Sequence, residues 1–363
     1  WLQRHDTLDA HPAVFVAQRL VLQSLDLRFF EFLPADVEHD ICLEEIVWGG
    51  VRVDGIPALD QPAFIAPDEA AYLTPDDKVF GVAINGDVRA YPLRILDWHE
   101  MANDVVGGVP VSLAYCTLCG AAILFDGRVE GRASPFTFGS SGLLYRSNKL
   151  MYDRETRSLW NQFTGQPVVG PLTGSSITLD ILPVELTAWA DWRGRHPETR
   201  VLDPDTGHRR DYRPGAAYGD YFASAELMFP AVLADESLAA KDQVFGVRTA
   251  GGAKAWPLAL FAGGALVQDR VGFIDVLLIG DAASRSVRAY ERRGLELESG
   301  SDGQLLARDV AFRVTDDALI GADGTTLRRL AGHVAYWFAF AGFLDGTTLY
   351  DPANDPPPQP FPG

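Results

Sequence analysis

Asp77-Lys78-Val79-Phe80-Gly81-Val82 and Asp242-Gln243-Val244-Phe245-Gly246-Val247 are two copies of one phrase, 165 residues apart. Ala90-Tyr91-Pro92-Leu93 returns at the same offset as Ala255-Trp256-Pro257-Leu258. Self-similarity at a fixed period marks an internal repeat. Trp189 and Pro197-Glu198-Thr199 then answer Trp337 and Asp345-Gly346-Thr347 at an offset of 148, so the second copy is shorter by a 17-residue loop or hairpin. Reactive side chains are confined to the first copy. His99, Cys116 and Cys119 fall opposite Gly264, Asp281 and Ser284, which directs attention to residues 90 to 165.

The hairpin signals predict a mostly β chain. Val79, Phe80, Val82 and Ile84 lead into Asn85-Gly86, with Val88 and Ala90 returning, and Ala250-Gly251-Gly252 stands at the matching turn of the second copy. Asn-Gly between alternating apolar residues is a strong hairpin signal. Short runs such as Val111 to Tyr115 and Ile123 to Phe125 lie between further glycine turns and read as strands. Helices are expected at Ala10 to Leu25, Leu93 to Asp104, Thr187 to Arg195 and Val334 to Phe343, and the proline-rich tail from Pro352 to Gly363 as extended chain. The fold class is thus α+β and β-rich, with two pseudo-symmetric repeats of short-stranded sheets. Residues 1–55 form an N-terminal extension with an apolar stretch at Ile46-Val47-Trp48, 56–215 the first repeat with the site, and 216–363 the second, degenerate repeat with its tail.

With 363 residues and 47% hydrophobic content the chain can bury two cores. A net charge of −18, from 31 basic against 49 acidic side chains and with no basic run, excludes nucleic acid and anionic lipid surfaces as natural partners. The longest apolar run, Ala13 to Leu22, is broken by Gln18 and Arg19 and is too short to span a bilayer. The chain starts at Trp1 without a methionine, so an upstream segment is expected; a signal or anchor there would place the protein outside the cytoplasm. Three cysteines are too few for a disulfide framework, and Cys42 reads as a structural thiol.

Two thiols three positions apart can share a metal ion or form a disulfide. Asp126-Gly127 follows Cys119 too soon for the helix that a thioredoxin-like pair would open, and a zinc ribbon needs a second cysteine pair. His99 is the nearest further donor and Met151 a soft fourth. Two thiolates, an imidazole and a thioether favour copper(I), while zinc would accept the Cys₂His set with an open position. Glu100, Asp153 and Arg154 are candidates to orient ligands or a bound substrate.

At these residues the chain becomes recognisable. Ile56-Pro57-Ala58-Leu59-Asp60-Gln61-Pro62, Trp98-His99-Glu100, Asn103-Asp104, Tyr115-Cys116-Thr117-Leu118-Cys119-Gly120, Ser141-Gly142-Leu143-Leu144-Tyr145 and Met151-Tyr152-Asp153-Arg154 resemble the DUF3179 family over about residues 50 to 350. The resemblance implies a bacterial or archaeal protein, often exported, and no known activity. Its cysteine loop commonly reads Cys-Pro-x-Cys; Thr117 replaces the proline here, which frees a backbone N–H.

Bland readings stand beside these. His99 could be a satisfied buried histidine, the cysteines a structural disulfide, Met151 core filler, and Asp153 and Arg154 an ion pair fixing a loop. Ser141 does not fit a nucleophile elbow, because the second glycine follows it immediately. The favoured expectation is an extracytoplasmic metal protein, with copper before zinc, that handles the metal or acts as a metal-dependent oxidoreductase on a small molecule. A metal-free thiol–disulfide protein and a non-catalytic binding module with a structural Cys-x-x-Cys are the alternatives. The oligomeric state is not legible.

Overall fold

The computed structural model describes residues 12–361 apart from 230, 232–234, 301–302 and 345, and gives backbone alone for residues 12–15. The chain is β-rich, with several small sheets and a few short helices, as its patterning predicts. Strands Lys78–Ile84 and Asp87–Pro92 form the first hairpin, and its turn residues Asn85 and Gly86 both have positive φ, 50° and 81°. Such a turn matches the right-handed twist of the flanking strands, which is why Asn-Gly is favoured there.

Two sheets repeat one arrangement. In the first, Glu185–Ala188 pairs antiparallel with Lys78–Ile84, and Arg200–Leu202 runs parallel to Asp87–Pro92. In the second, Gly332–Tyr336 pairs antiparallel with Gln243–Thr249, and Thr348–Leu349 runs parallel to Gly252–Pro257. The registers coincide at the offsets read from the sequence: Glu185 faces Gly81 as His333 faces Gly246, and Arg200 faces Arg89 as Thr348 faces Lys254. The three-stranded meander Met101–Val106, Val109–Cys116 and Ala121–Asp126 is matched in the same way by Ala265–Val271, Ile274–Asp281 and Ser286–Glu291.

Two packing devices recur as well. Asp104 accepts from Arg89 Nη1 and from the Tyr91 hydroxyl, both at 2.6 Å. Asp269 accepts from Lys254 Nζ at 3.0 Å and from Trp256 Nε1 at 2.8 Å. Each buried carboxylate therefore ties a meander to its hairpin, and the partners supply the donors it would otherwise lose with water. In each copy the helix that follows the returning strand lays an aromatic ring on a glycine. A Cβ on Gly81 would sit inside the Trp192 ring, and one on Gly246 inside the Phe340 ring.

The core is continuous across the copies. The largest apolar cluster combines Phe80, Val82, Tyr91, Leu113 and Leu124 with Phe245, Trp256, Val267 and Leu278, so the halves share a core instead of burying one each. The N-terminal extension packs on the first copy. Its strand Ile46–Trp48 pairs with Phe138–Tyr145, and Leu22, Phe29, Phe32 and Ile46 join Leu143, Leu150 and Tyr152 in one cluster. In the tail, Gln359–Pro360 pairs with the strand Ala265–Val271.

The helix expectations are trimmed by tertiary pairing. The first helix is described from Pro12 to Leu25, and Ala10 and His11 lie outside the described residues. The helix expected to reach Asp104 runs Leu93–His99, because Glu100 turns left-handed at φ 56° and Met101–Val106 is taken up as a strand. Thr187 and Ala188, and likewise Val334 to Tyr336, are strand ends, and the helices start at Trp189 and Trp337. Among the described residues no helix is long and apolar enough to cross a membrane.

If the two copies carry equivalent packing, Gly81→Ala and Gly246→Ala should each destabilise the chain by about 1–3 kcal/mol, the usual cost of overpacking a core. Urea melts of the two variants would check this. Tolerance of either alanine without loss would show that the ring and glycine contacts are not equivalent devices.

Candidate functional site

The Cys-x-x-Cys loop joins the meander strands Val109–Cys116 and Ala121–Asp126 and is held from four directions. Locally, Cys119 N–H donates to Cys116 O at 3.2 Å, and Gly120 takes a φ of 60°. Gln162 Nε2 bridges the flanking strands by donating to Ala114 O at 2.7 Å and Ala121 O at 3.0 Å. From the second copy, Tyr336 N–H donates to Cys119 O at 2.8 Å. From the segment between the copies, the Tyr221 hydroxyl donates to Leu118 O at 2.6 Å.

Inside this frame the Cys116 and Cys119 sulfurs are 3.0 Å apart and the side chains are buried, at 2% and 0% exposure. Asn148 Nδ2 donates to Cys119 Sγ at 3.2 Å and to Gln162 Oε1 at 2.7 Å. The two thiols are driven apart in acidity. Burial and the Glu100 carboxylate push Cys116 up, but the hydrogen bond with Cys119, helped by the Lys149 N–H and the Lys149 ammonium, outweighs them and leaves its pKa lowered. Burial and the adjacent Cys116 both push Cys119 up, so its thiol keeps its proton. The two sulfurs are thus unlike, with Cys116 the more acidic and Cys119 the less acidic member of the pair.

Lys149 and Glu100 supply the charge beside this pair. Lys149 Nζ sits 2.9 Å from Glu100 Oε2 with both side chains nearly buried, and it also donates to Tyr115 O at 3.4 Å. Glu100 caps its helix by donating its N–H to Leu96 O, and its carbonyl accepts from Tyr115 N–H, both at 2.7 Å.

The other expected residues lie in separate networks. His99 is fully buried, with Nδ1 2.8 Å from Pro57 O and Nε2 2.5 Å from the Tyr212 hydroxyl. Since a carbonyl can only accept, Nδ1 carries the proton and Nε2 accepts from Tyr212. Burial lowers the His99 pKa to about 4, so the ring is neutral at pH 7 with both nitrogens engaged. Among the described residues no three His, Cys, Asp or Glu side chains converge as a metal cluster. The thiols therefore do not form the expected Cys₂His set with His99.

Met151 is buried in the same apolar cluster as both cysteines, alongside Trp160 and Phe138. Asp153 fixes its own hairpin, accepting from Thr156 N–H at 2.6 Å, Thr156 Oγ1 at 2.7 Å and Trp160 Nε1 at 2.9 Å. Arg154 reaches outward to Asp60 at 2.7 Å. Ser141 Oγ donates to Leu150 O and accepts from Leu143 N–H beside a β-bulge, which is a structural role. Cys42 donates to Glu44 Oε2 at 2.8 Å, away from the pair.

Residues not singled out from the sequence complete the site. Asn148 and Lys149 touch the thiols and Glu100 from the strand Asn148–Asp153, a half-polar run whose pattern does not mark them as buried. Asp97 is the other. It is 6% exposed, its Oδ1 has no hydrogen-bond partner among the described residues, and burial raises its pKa to about 7. It lines a cavity of about 470 Å³ together with Tyr115 and Gly120, the residues flanking the two cysteines.

Two measurements follow from these buried charges. Lys149→Met should cost about 3–5 kcal/mol by leaving Glu100 buried and unpaired, and Lys149→Met with Glu100→Gln should recover most of it. Equal losses in the single and double variants, read from urea melts, would contradict the pairing. For Asp97 the folded pKa is raised above the unfolded value near 3.8, so its contribution is full below pH 4 and is lost as pH rises through 7. Asp97→Asn should accordingly gain about 2–4 kcal/mol relative to wild type between pH 4 and 8. A pH-independent difference between the two proteins would show that Asp97 titrates normally.

The family described as Protein of unknown function (DUF3179) matches residues 53–347, from the end of the N-terminal extension to just before the strand Thr348–Leu349. No curated protein and no solved structure matches the chain. With four-fifths of its length inside that match, this chain is a member of the DUF3179 family.

Proposed function

We propose that this protein is a dithiol–disulfide redox protein in which Cys116 and Cys119 cycle between two thiols and one disulfide. The observation that carries this reading is the sulfur pair itself, 3.0 Å apart with opposed shifts in acidity. The second copy supplies the control. At the equivalent turn, Ser284 N–H and Oγ donate to Asp281 Oδ1 at 2.8 and 3.0 Å, so the fold closes this turn without sulfur. A structural staple is therefore not what the turn requires.

The chemistry uses each thiol once. Cys116 as thiolate attacks one sulfur of a substrate disulfide, forming a mixed disulfide and expelling the other sulfur as a thiolate. With Cys116 no longer charged, one cause of the raised Cys119 pKa disappears. Cys119 then attacks Cys116 Sγ, its proton passing to the departing second thiolate. The substrate gains two electrons and the protein keeps the Cys116–Cys119 bond. Tyr221 packs in the same apolar cluster as the two cysteines and donates to Leu118 O of their loop. An extracytoplasmic location would suit such a pair, since disulfides persist there.

The copper or zinc reading retains two sulfur donors and Met151 in the same cluster, without His99. Two thiolates on one tetrahedral zinc with bonds of about 2.3 Å would stand about 3.8 Å apart, wider than the pair here. Mass spectrometry after exposure of the reduced protein to a small disulfide separates the readings. The expected result is a two-hydrogen mass loss mapped to Cys116–Cys119, a trapped mixed disulfide on Cys116 in Cys119→Ser, and no reaction at that loop in Cys116→Ser. Unreacted thiols that instead bind one copper ion, with loss of binding in either serine variant, would overturn the dithiol reading in favour of the metal.

A further inference from the structure

The cavity beside the cysteine loop is lined by both copies, and equivalent positions of the two contribute to it. Lys78 of the first copy and Gln243 of the second line it, as do Gly120 and Arg285, each pair separated by the repeat offset of 165 residues. Gly120 and Arg285 share the same left-handed backbone, φ 60° and 66°. Where the first copy leaves the wall open with a glycine, the second places a guanidinium.

The polar groups of this cavity are unequally committed. Arg94 is paired with Asp77 and donates to Tyr72 O, and Lys241 donates to Tyr221 O and Ser224 O. Lys78 uses one donor on Ala283 O at 3.1 Å. Arg285 makes no side-chain hydrogen bond or ion pair among the described residues, and neither does the Tyr336 hydroxyl. Asp76 and Asp97 are the carboxyls that line the cavity without an ion pair. The result is a concave site of about 470 Å³ in which Arg285, Lys78 and Tyr336 offer unspent donors, within a chain whose net charge is −18. A volume of that order takes a small organic molecule.

We infer that this cavity binds a small oxyanion-bearing molecule, a carboxylate or phosphate held by the Arg285 fork with Lys78 and the Tyr336 hydroxyl in support. The guanidinium presents paired N–H donors that match two oxygens of such a group, and a charge-assisted bond in a recess is stronger than one at open surface. The site does not require the dithiol to cycle. It shares a wall with the cysteine loop through Tyr115 and Gly120, so an occupant would lie against that loop.

Calorimetric titration of the reduced full chain with inorganic phosphate, succinate and citrate, each at matched ionic strength against sodium chloride, tests the inference. At least one of the three should bind with one-to-one stoichiometry, and Arg285→Ala should weaken it by about tenfold or more, Arg285→Lys by less. Tyr336→Phe, which keeps the ring and removes one donor, should weaken it several-fold and serves if the arginine variant fails to fold. Repeating the titration on Cys116→Ser should leave binding in place, which separates failure of this site from failure of the redox reading. No heat beyond the chloride control with all three anions, or equal binding by wild type, Arg285→Ala and Tyr336→Phe, would overturn it.

Discussion

The ion pair between Lys149 and Glu100 is the interaction on which the candidate site depends. It joins three pieces that the chain makes separately: the end of the helix Leu93–His99, the strand Asn148–Asp153, and the last residues before Cys116. A buried charge pair is tolerated only where each partner is fixed and further hydrogen bonds fill its remaining valences. Here Glu100 is fixed by its left-handed cap and by Tyr115, and Lys149 by its strand and by Tyr115 O. The two charges act on the thiols in opposite senses, the Lys149 N–H and ammonium favouring a negative Cys116 and the Glu100 carboxylate disfavouring it. The pair is thus a buried tie that holds the loop's surroundings in place, while the opposed acidities of the two thiols rest first on their own hydrogen bond.

Around that pair the molecule repeats one frame. Matching registers at offsets of 165 and 148, the carboxylates of Asp104 and Asp269, and the rings of Trp192 and Phe340 on Gly81 and Gly246 are the same solution written with different side chains. Arg89 and Tyr91 become Lys254 and Trp256 while the acceptor stays an aspartate. The frame therefore tolerates exchange of donors. The site residues differ outright, with Asp281 and Ser284 closing by hydrogen bonds the turn that carries thiols in the first copy. One frame with two turn chemistries separates what the fold needs from what the function uses.

The hairpins were legible because Asn85-Gly86 and the alternating apolar residues specify a local structure. The repeat was legible because its register is carried by glycine and proline positions. The cysteine pair was also plain from its spacing. Three things were not. Met101 to Asp104 reads as the continuation of a helix, and hairpin pairing with Val111 to Ala114 across the Gly107-Gly108 turn makes it a strand instead. The partner of His99 was likewise hidden. Tyr212 lies 113 residues on, in a stretch without periodicity, so proximity in sequence pointed to the thiols while the fold supplied a carbonyl and a phenol. Lys149 and Asp97 carry no signal of their place, because a charged residue has the same appearance in sequence whether it snorkels to solvent or is held inside.

The most direct measurement of the central claim is an equilibrium redox titration of the full chain in dithiothreitol buffers, with the Cys116–Cys119 bond followed by mass spectrometry. The account predicts one reversible two-electron transition, present in Cys42→Ser and absent from Cys116→Ser and Cys119→Ser. Thiols that stay reduced across the whole range, or a bond that once formed is not reduced by any buffer, would contradict it.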